Sequence, residues 1–302
     1  MHKASKEVQE KLPEMDLLIE VLDARIPFSS ENPMISAIRG DKPCLKIFNK
    51  TDLADPELTQ SWQDYFEQDK GIKTLTISRE ETDKIKQIAS ICRKMITRSD
   101  KRVKEIHAMI VGIPNVGKST IINTLIGRSI AKTGNEAAVT RQQQRIKIAE
   151  DIVLFDTPGM LWGNIENENS GYRLAATGAI KDTAFENDDV AFFLAEYLIK
   201  HYPNRLVERY QLDSSPQTEI ELIESIGRLR GCLRKGGQVE LDKACKILIN
   251  EYRLGMLGAI TLETPEMTIE EMKKVTSERE RKVIESKANK SERKKRWKKN
   301  RK

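Results

Sequence analysis

Gly112-Ile113-Pro114-Asn115-Val116-Gly117-Lys118-Ser119-Thr120 fits the pattern Gly-x-x-x-x-Gly-Lys-Ser. An apolar run that includes Ile106, Met109, Ile110 and Val111 precedes it, and Ile121, Ile122, Leu125 and Ile126 come after it at helical spacing. Strand, glycine loop and helix in that order form the setting of a phosphate-binding loop. Glycine at 112 and 117 lets successive N–H groups turn inward, so the amides of Asn115, Val116, Gly117, Lys118, Ser119 and Thr120 can face phosphate oxygens at a helix N-terminus. Lys118 adds a cation for the β- and γ-phosphates, where it serves catalysis as well as binding, and Ser119 adds a hydroxyl for Mg²⁺. The loop by itself does not choose between ATP and GTP.

Upstream, Leu17 to Leu22 form an apolar run that ends in Asp23-Ala24-Arg25-Ile26-Pro27, and Cys44, Leu45, Ile47 and Phe48 form another that ends in Asn49-Lys50-Thr51-Asp52. Both read as buried parallel strands, and α/β sheets place ligand loops at the carboxyl ends of such strands. A carboxylate at Asp52 can accept from N1–H and the 2-amino group of guanine, which adenine does not offer, while Asn49 and Lys50 orient the base. Buried polar groups left unpaired by the wrong base give strong discrimination. A second role is open to the same residues, since Asp52 or Thr51 can cap a helix over 55–68. A further strand over 73–77 ends at Ser78, whose backbone amide suits a loop closing over the base.

Between 127 and 144 the chain is polar and without periodicity, the pattern of a switch loop, and Thr140 is its candidate for ligating Mg²⁺ and sensing the γ-phosphate during catalysis. Paired strands over 145–148 and 152–155 then lead to Asp156-Thr157-Pro158-Gly159. Asp156 is placed to hold Mg²⁺ through water, and the Gly159 amide to meet the γ-phosphate. The base-reading elements thus precede the phosphate loop and switches, the reverse of the usual order. A sheet brings the same strand ends together wherever the chain is cut, so the order describes a circularly permuted nucleotide-binding α/β domain, mostly parallel, with helices on both faces.

Together these segments, with Arg173-Leu174-Ala175-Ala176-Thr177-Gly178-Ala179-Ile180-Lys181-Asp182, resemble the YlqF or ribosome biogenesis GTPase A group of circularly permuted GTPases, which has mitochondrial relatives. The resemblance runs from Met1 to about Arg209. It implies a GTPase that binds GTP and GDP with Mg²⁺ and also K⁺, the latter through Asn115, and that acts on the large ribosomal subunit late in assembly. Two positions depart from expectation. Met160 stands where Ras-like enzymes carry a water-positioning Gln, so intrinsic hydrolysis is expected to be slow. The family also places a His in a Pro-Gly-His-Met segment. Here Met1-His2-Lys3-Ala4 matches the positions just after that His, so His2 is out of register and reads as a solvated terminal residue.

The 302 residues, 38% hydrophobic and 32% charged, suffice for two compact domains. No apolar run approaches a spanning helix and residues 1–15 have no apolar signal core, so a cytoplasmic monomer with no membrane partner is expected. Cys44, Cys92, Cys232 and Cys245 lack paired spacing and read as reduced, buried thiols. The net charge of +6 is unevenly spread: 15 Lys and Arg against 4 Glu lie between Lys273 and Lys302, leaving the preceding chain at −5. The domains expected are a GTPase unit over 1–165, a helical bundle over 166–272 and a basic tail over 273–302. Stripes at Val190, Phe193, Leu194, Tyr197 and Leu198, at Ile220, Ile223 and Ile226, and at Leu241, Ala244, Cys245, Leu248 and Tyr252 mark bundle helices. The tail, with Trp297, is expected to be disordered until it meets rRNA. Three functions stand against one another: a hydrolysing assembly switch, a GTP-regulated RNA chaperone with little turnover, and a metabolic or RNA-modifying NTPase, which is weakened because nothing else in the sequence resembles a second catalytic centre.

Overall fold

The computed structural model describes residues 2–78, 80–96, 105–127, 144–163 and 165–299, so Thr140 and most of the expected switch loop lie outside the described residues. The elements run α1 (His2–Lys11), β1 (Leu17–Asp23), α2 (Pro27–Ser30), α3 (Pro33–Arg39), β2 (Cys44–Asn49), α4 (Pro56–Phe66), β3 (Ile72–Ile77), α5 (Thr82–Met95), β4 (Ile106–Gly112), α6 (Lys118–Ile126), β5 (Gln144–Ala149) and β6 (Ile152–Asp156). Helices α7 (Glu168–Ala176), α8 (Asn187–His201), α9 (Pro203–Tyr210), α10 (Glu219–Leu229), α11 (Leu241–Arg253) and α12 (Pro265–Lys299) complete the chain.

The six strands lie in the order β3-β2-β1-β4-β6-β5. All neighbours are parallel except β5 and β6, an antiparallel pair that shifts register between Lys147 and Ala149. Every residue of β1 is buried, because helices cover both faces, and this is why its sequence reads as an unbroken apolar run. Alternate residues sort to the two faces. Leu17, Ile19 and Val21 join Ile47, Ile110, Ile121 and Ile88 on one side. Leu18 and Leu22 join Phe48, Val111, Trp62 and Val8 on the other. The parallel register sets Asp23 beside Asn49 at the carboxyl end of the sheet, with Gly112 opposite Val21 two residues back and Asp156 opposite Ile110 two residues further back.

Sequence signals and structure differ at three places. The helix expected from residue 55 is capped by Asp55, whose carboxylate accepts from the amides of Glu57 and Leu58 at 2.9 and 3.2 Å, leaving Asp52 and Thr51 in a short 3₁₀ turn. Within α10, Leu222, Ile223 and Ile226 are buried while Ile220 is exposed, since it lies in the first turn. Where disorder was expected from 273, the backbone stays helical to Lys299. Lys, Arg, Glu and Ala favour helix, and no Pro or Gly interrupts the segment.

The bundle core of Leu194, Leu198, Ile223, Ile226, Leu248 and Tyr252 is continuous with one face of the sheet. After α11 the chain turns back along the first domain. The Ile260 amide donates to Leu53 O at 3.0 Å, the Leu262 amide to Arg25 O at 2.8 Å, and the Trp62 indole to Glu263 O at 3.0 Å. Glu263, fully buried, accepts from the Ser29 amide and hydroxyl and lies 3.5 Å from Arg173, which also binds Glu271 at 2.6 Å. These contacts seat the root of α12. All four cysteines are buried and free.

Candidate nucleotide site

The phosphate loop is shaped by close packing as much as by hydrogen bonding. A Cβ on Gly112 would stand 2.6 Å from Val21 O, and one on Gly117, at φ +101°, would collide with Asn49 Nδ2. Asn49 reaches from the end of β2 and donates to Val116 O at 2.7 Å, so the strand that precedes Asp52 also braces the phosphate loop. Asn115 adopts φ +58° and donates to Gly178 O at 2.9 Å, the turn that ends α7. The amide expected to meet K⁺ is thereby turned toward the helical bundle.

Lys118 is buried and donates to Gly112 O and Ile113 O at 2.8 and 3.1 Å. Burial lowers its pKa to about 8, with the charge of Asp156 opposing the shift. Asp156 at the end of β6 is 1% exposed, and neither carboxylate oxygen has a hydrogen-bond partner. Burial raises its pKa to about 6, which Lys118 and the nearby Thr157 amide only partly offset. A buried carboxylate without donors is costly unless a cation accompanies it. Ser119, half-buried in the first turn of α6, adds a second hard oxygen donor on the phosphate loop. No cluster of three His, Cys, Asp or Glu side chains forms a metal site among the described residues. Two protein oxygens completed by phosphates and water therefore suit Mg²⁺.

Gly159 lies against the loop: a Cβ there would be 3.1 Å from Pro114 Cα and 3.3 Å from Lys118 Nζ. The Met160 amide donates to Gly112 O at 3.2 Å, and its side chain is buried in a cluster with Val8, Leu12 and Val111. Nothing polar occupies the position after Gly159.

On the base side, Lys50 adopts φ +63° and its ammonium binds Asp23 Oδ2 at 2.8 Å. Asp23 also accepts from Arg25 Nε and Nη2 at 2.9 and 2.8 Å, and these two cations hold it well below the usual carboxylate range against the effect of burial. Asp52 is exposed in the turn beyond Lys50. The Ser78 amide donates to Glu81 Oε2 at 3.1 Å, so the group expected over the base has an internal partner. Sequence reasoning gave Asp23 and Arg25 no role, although their place at the carboxyl end of β1 marked them as neighbours of the site.

Known proteins resemble this chain along most of its length. A family described as "50S ribosome-binding GTPase" matches residues 107–223, and one described as "RsgA GTPase" matches residues 34–164. Ribosome biogenesis GTPase A of Bacillus cereus is 46% identical over 273 residues, 88% of this chain and 92% of that protein. The chain belongs to the ribosome biogenesis GTPase A family. Mitochondrial ribosome-associated GTPase 1 of Xenopus tropicalis is a more distant relative, at 33% identity over 87% of this chain and 92% of its own. Two solved structures share the fold. The GDP-bound structure of TM YlqF gives a TM-score of 0.63 at 25% identity over 86% of this chain and 99% of its own. The GNP-bound YlqF structure from T. maritima gives 0.61 at 25% identity over 88% and 99%.

This ribosome biogenesis GTPase A relative therefore carries its GTPase machinery in permuted order on an ordinary sheet edge. Its chemistry is charge placement. Lys118 is satisfied by the loop's own carbonyls and is already buried, so phosphate oxygens arriving there can replace those partners with little further desolvation of the ammonium. Among the described residues no helix is long and apolar enough to cross a membrane.

Proposed function

We propose that the protein is a GTP-driven assembly switch for the large ribosomal subunit. The observation that carries the nucleotide chemistry is the partnerless, buried Asp156 carboxylate, whose charge acts on Lys118 of the phosphate loop. In this reading Lys118 neutralises the β- and γ-phosphates and Ser119, Asp156 and Thr140 hold Mg²⁺. The amides of Asn115 to Thr120 and of Gly159 bind phosphates, while Asn49, Lys50, Asp52 and Ser78 select guanine. Asn115 ligates K⁺ after leaving Gly178. The bundle, drawn as a unit over 166–272, and the basic segment over 273–302 bind rRNA. The protein works as a cytoplasmic monomer.

The names of the relatives support the ribosomal part, since both the Bacillus and the Xenopus proteins are named for ribosomes. The burial of Met160 favours a second reading in which turnover is minimal and GTP chiefly governs RNA binding. GTP turnover at fixed Mg²⁺ and K⁺, alone and with purified large or small subunits, separates the two. Strong stimulation by the large subunit alone is expected. Equal stimulation by both subunits overturns the large-subunit assignment, and none with either favours the second reading.

A further inference from the structure

The residues on both sides of Asp52 are held by a part of the chain two hundred positions away. On its C-terminal side, Leu53 O accepts from the Ile260 amide at 3.0 Å, and a Cβ on Gly255, at φ +72°, would stand 2.5 Å from Leu53 Cδ2. The next two residues continue the pattern. Ala54 is buried, and the Asp55 amide donates to Thr261 Oγ1 at 3.0 Å. The hydroxyl of Thr261 donates in turn to Ala24 O at 3.4 Å, so one buried side chain bridges the loops that leave β1 and β2. Tyr202 of the bundle donates to Asp55 Oδ2 at 3.1 Å.

On the N-terminal side, the left-handed Lys50 is tied to Asp23, Asp23 to Arg25, and Arg25 stands 5.4 Å from the Tyr252 ring while its carbonyl accepts from Leu262. Asp52 itself is the exposed residue between these two anchored flanks.

We infer that the 255–262 segment is a specificity element for the nucleotide, with Thr261 and Gly255 as positioning residues that hold the Asp52 carboxylate where it meets the guanine edge. Hydrogen-bond discrimination between bases depends on an acceptor fixed before the ligand arrives, because any freedom left in the loop is lost on binding and reduces the gain from the correct base. The three-residue turn has only two internal bonds, from the Leu53 amide to Lys50 O at 3.0 Å and from the Ala54 amide to Thr51 O at 3.3 Å, and these shape it without fixing its place on the sheet. The helical domain supplies what the turn lacks, and base selection becomes a property of both domains.

The inference rests on Asp52 as the base-reading group, and the experiment separates the two. Binding of GDP and of IDP, whose base lacks the 2-amino group, is measured by competition against a fluorescent guanine nucleotide in the full chain, for wild type, Asp52→Asn, Thr261→Val and Leu53→Ala. Asp52→Asn is expected to collapse the GDP-to-IDP ratio. If it does not, the base reading falls and the inference with it. Thr261→Val removes the bridge without changing volume, and is expected to weaken GDP about fivefold while leaving IDP within about twofold. Leu53→Ala, on a half-buried side chain, removes the packing against Gly255 and is expected to act in the same direction without threatening the fold. A merely structural role lowers both nucleotides together or neither. Either of those patterns in both variants, with Asp52→Asn behaving as expected, overturns the positioning role alone.

Discussion

Among the described residues, Asp156 is a buried carboxylate neither of whose oxygens has a hydrogen-bond partner. Its carboxyl has a folded pKa of about 6 against an ordinary value of 3.8, because burial penalises the charge more than Lys118 relieves it. The folded state therefore holds this proton more tightly than the unfolded chain does. Its contribution to stability is present below the ordinary carboxylate range, is lost as pH rises through about 6, and stays lost above. In the Mg²⁺-holding role proposed for Asp156, proton and metal compete for the same oxygens, so in the presence of GDP the apparent Mg²⁺ affinity should fall up to about tenfold per pH unit below about 6 and level off above it, as titration at stepped pH would show. Asp156→Asn should raise the melting temperature of the nucleotide-free protein at neutral pH, by about 1 kcal/mol of stability, while GTP turnover drops by at least about a hundredfold. A variant that loses both stability and turnover would assign Asp156 an internal structural partner instead.

Among the elements, α12 departs most from its sequence reading. Its first turns are fixed by the carbonyl of Glu263 on Trp62 and by Arg173 on Glu271. From Thr276 to Glu285 the described side chains are exposed, although Arg279 still lies 3.8 Å from Glu166 and Thr276, Ser277 and Glu280 line a shallow cavity with Phe28 and Tyr65. Composition made the charge legible but not the conformation, since a run of Lys, Arg and Glu is compatible with a solvated helix or an irregular tail. The decisive contacts join residues about 100 to 200 positions apart. The P-loop, the strand before Asn49 and the end of β6 were legible for the opposite reason: each is a local signal, an apolar run closed by a short polar motif. What stayed hidden was Asp55 as the cap of α4, a choice among neighbouring cap-forming residues that only the backbone decides. Removing residues 287–302 should leave nucleotide binding and melting unchanged, weaken binding to large-subunit rRNA by at least about tenfold at about 100 mM salt, and flatten its dependence on salt. Unaltered RNA binding in a filter or gel-shift assay would place the RNA contact on the bundle.

For the whole molecule, the apolar core that runs from the sheet into the bundle and the return of residues 260–263 to Leu53, Arg25 and Trp62 join the two domains more firmly than a linker would. The N-terminal domain and the bundle should therefore unfold together, as one calorimetric transition that GDP with Mg²⁺ moves upward as a whole. Two separate transitions, with only one responding to GDP, would show that the stitching is weaker than its hydrogen bonds suggest. Sequence patterns marked strands and bundle helices but carried no trace of this joint. Backbone carbonyls such as Leu53 O and Arg25 O leave no mark on composition, and Gly255 is distinguished only by a neighbour two hundred residues away.

The strand order also bears on how the chain is made. β1 emerges first, β2 adds at one side of it and β3 beyond β2; β4 then takes the other side of β1, and the β5–β6 hairpin closes against β4. No strand has to enter between two that are already paired. During synthesis the sheet can widen outward from its oldest member, with each new edge covered soon after it forms, which keeps unpaired strand surface brief in a parallel architecture that otherwise folds slowly.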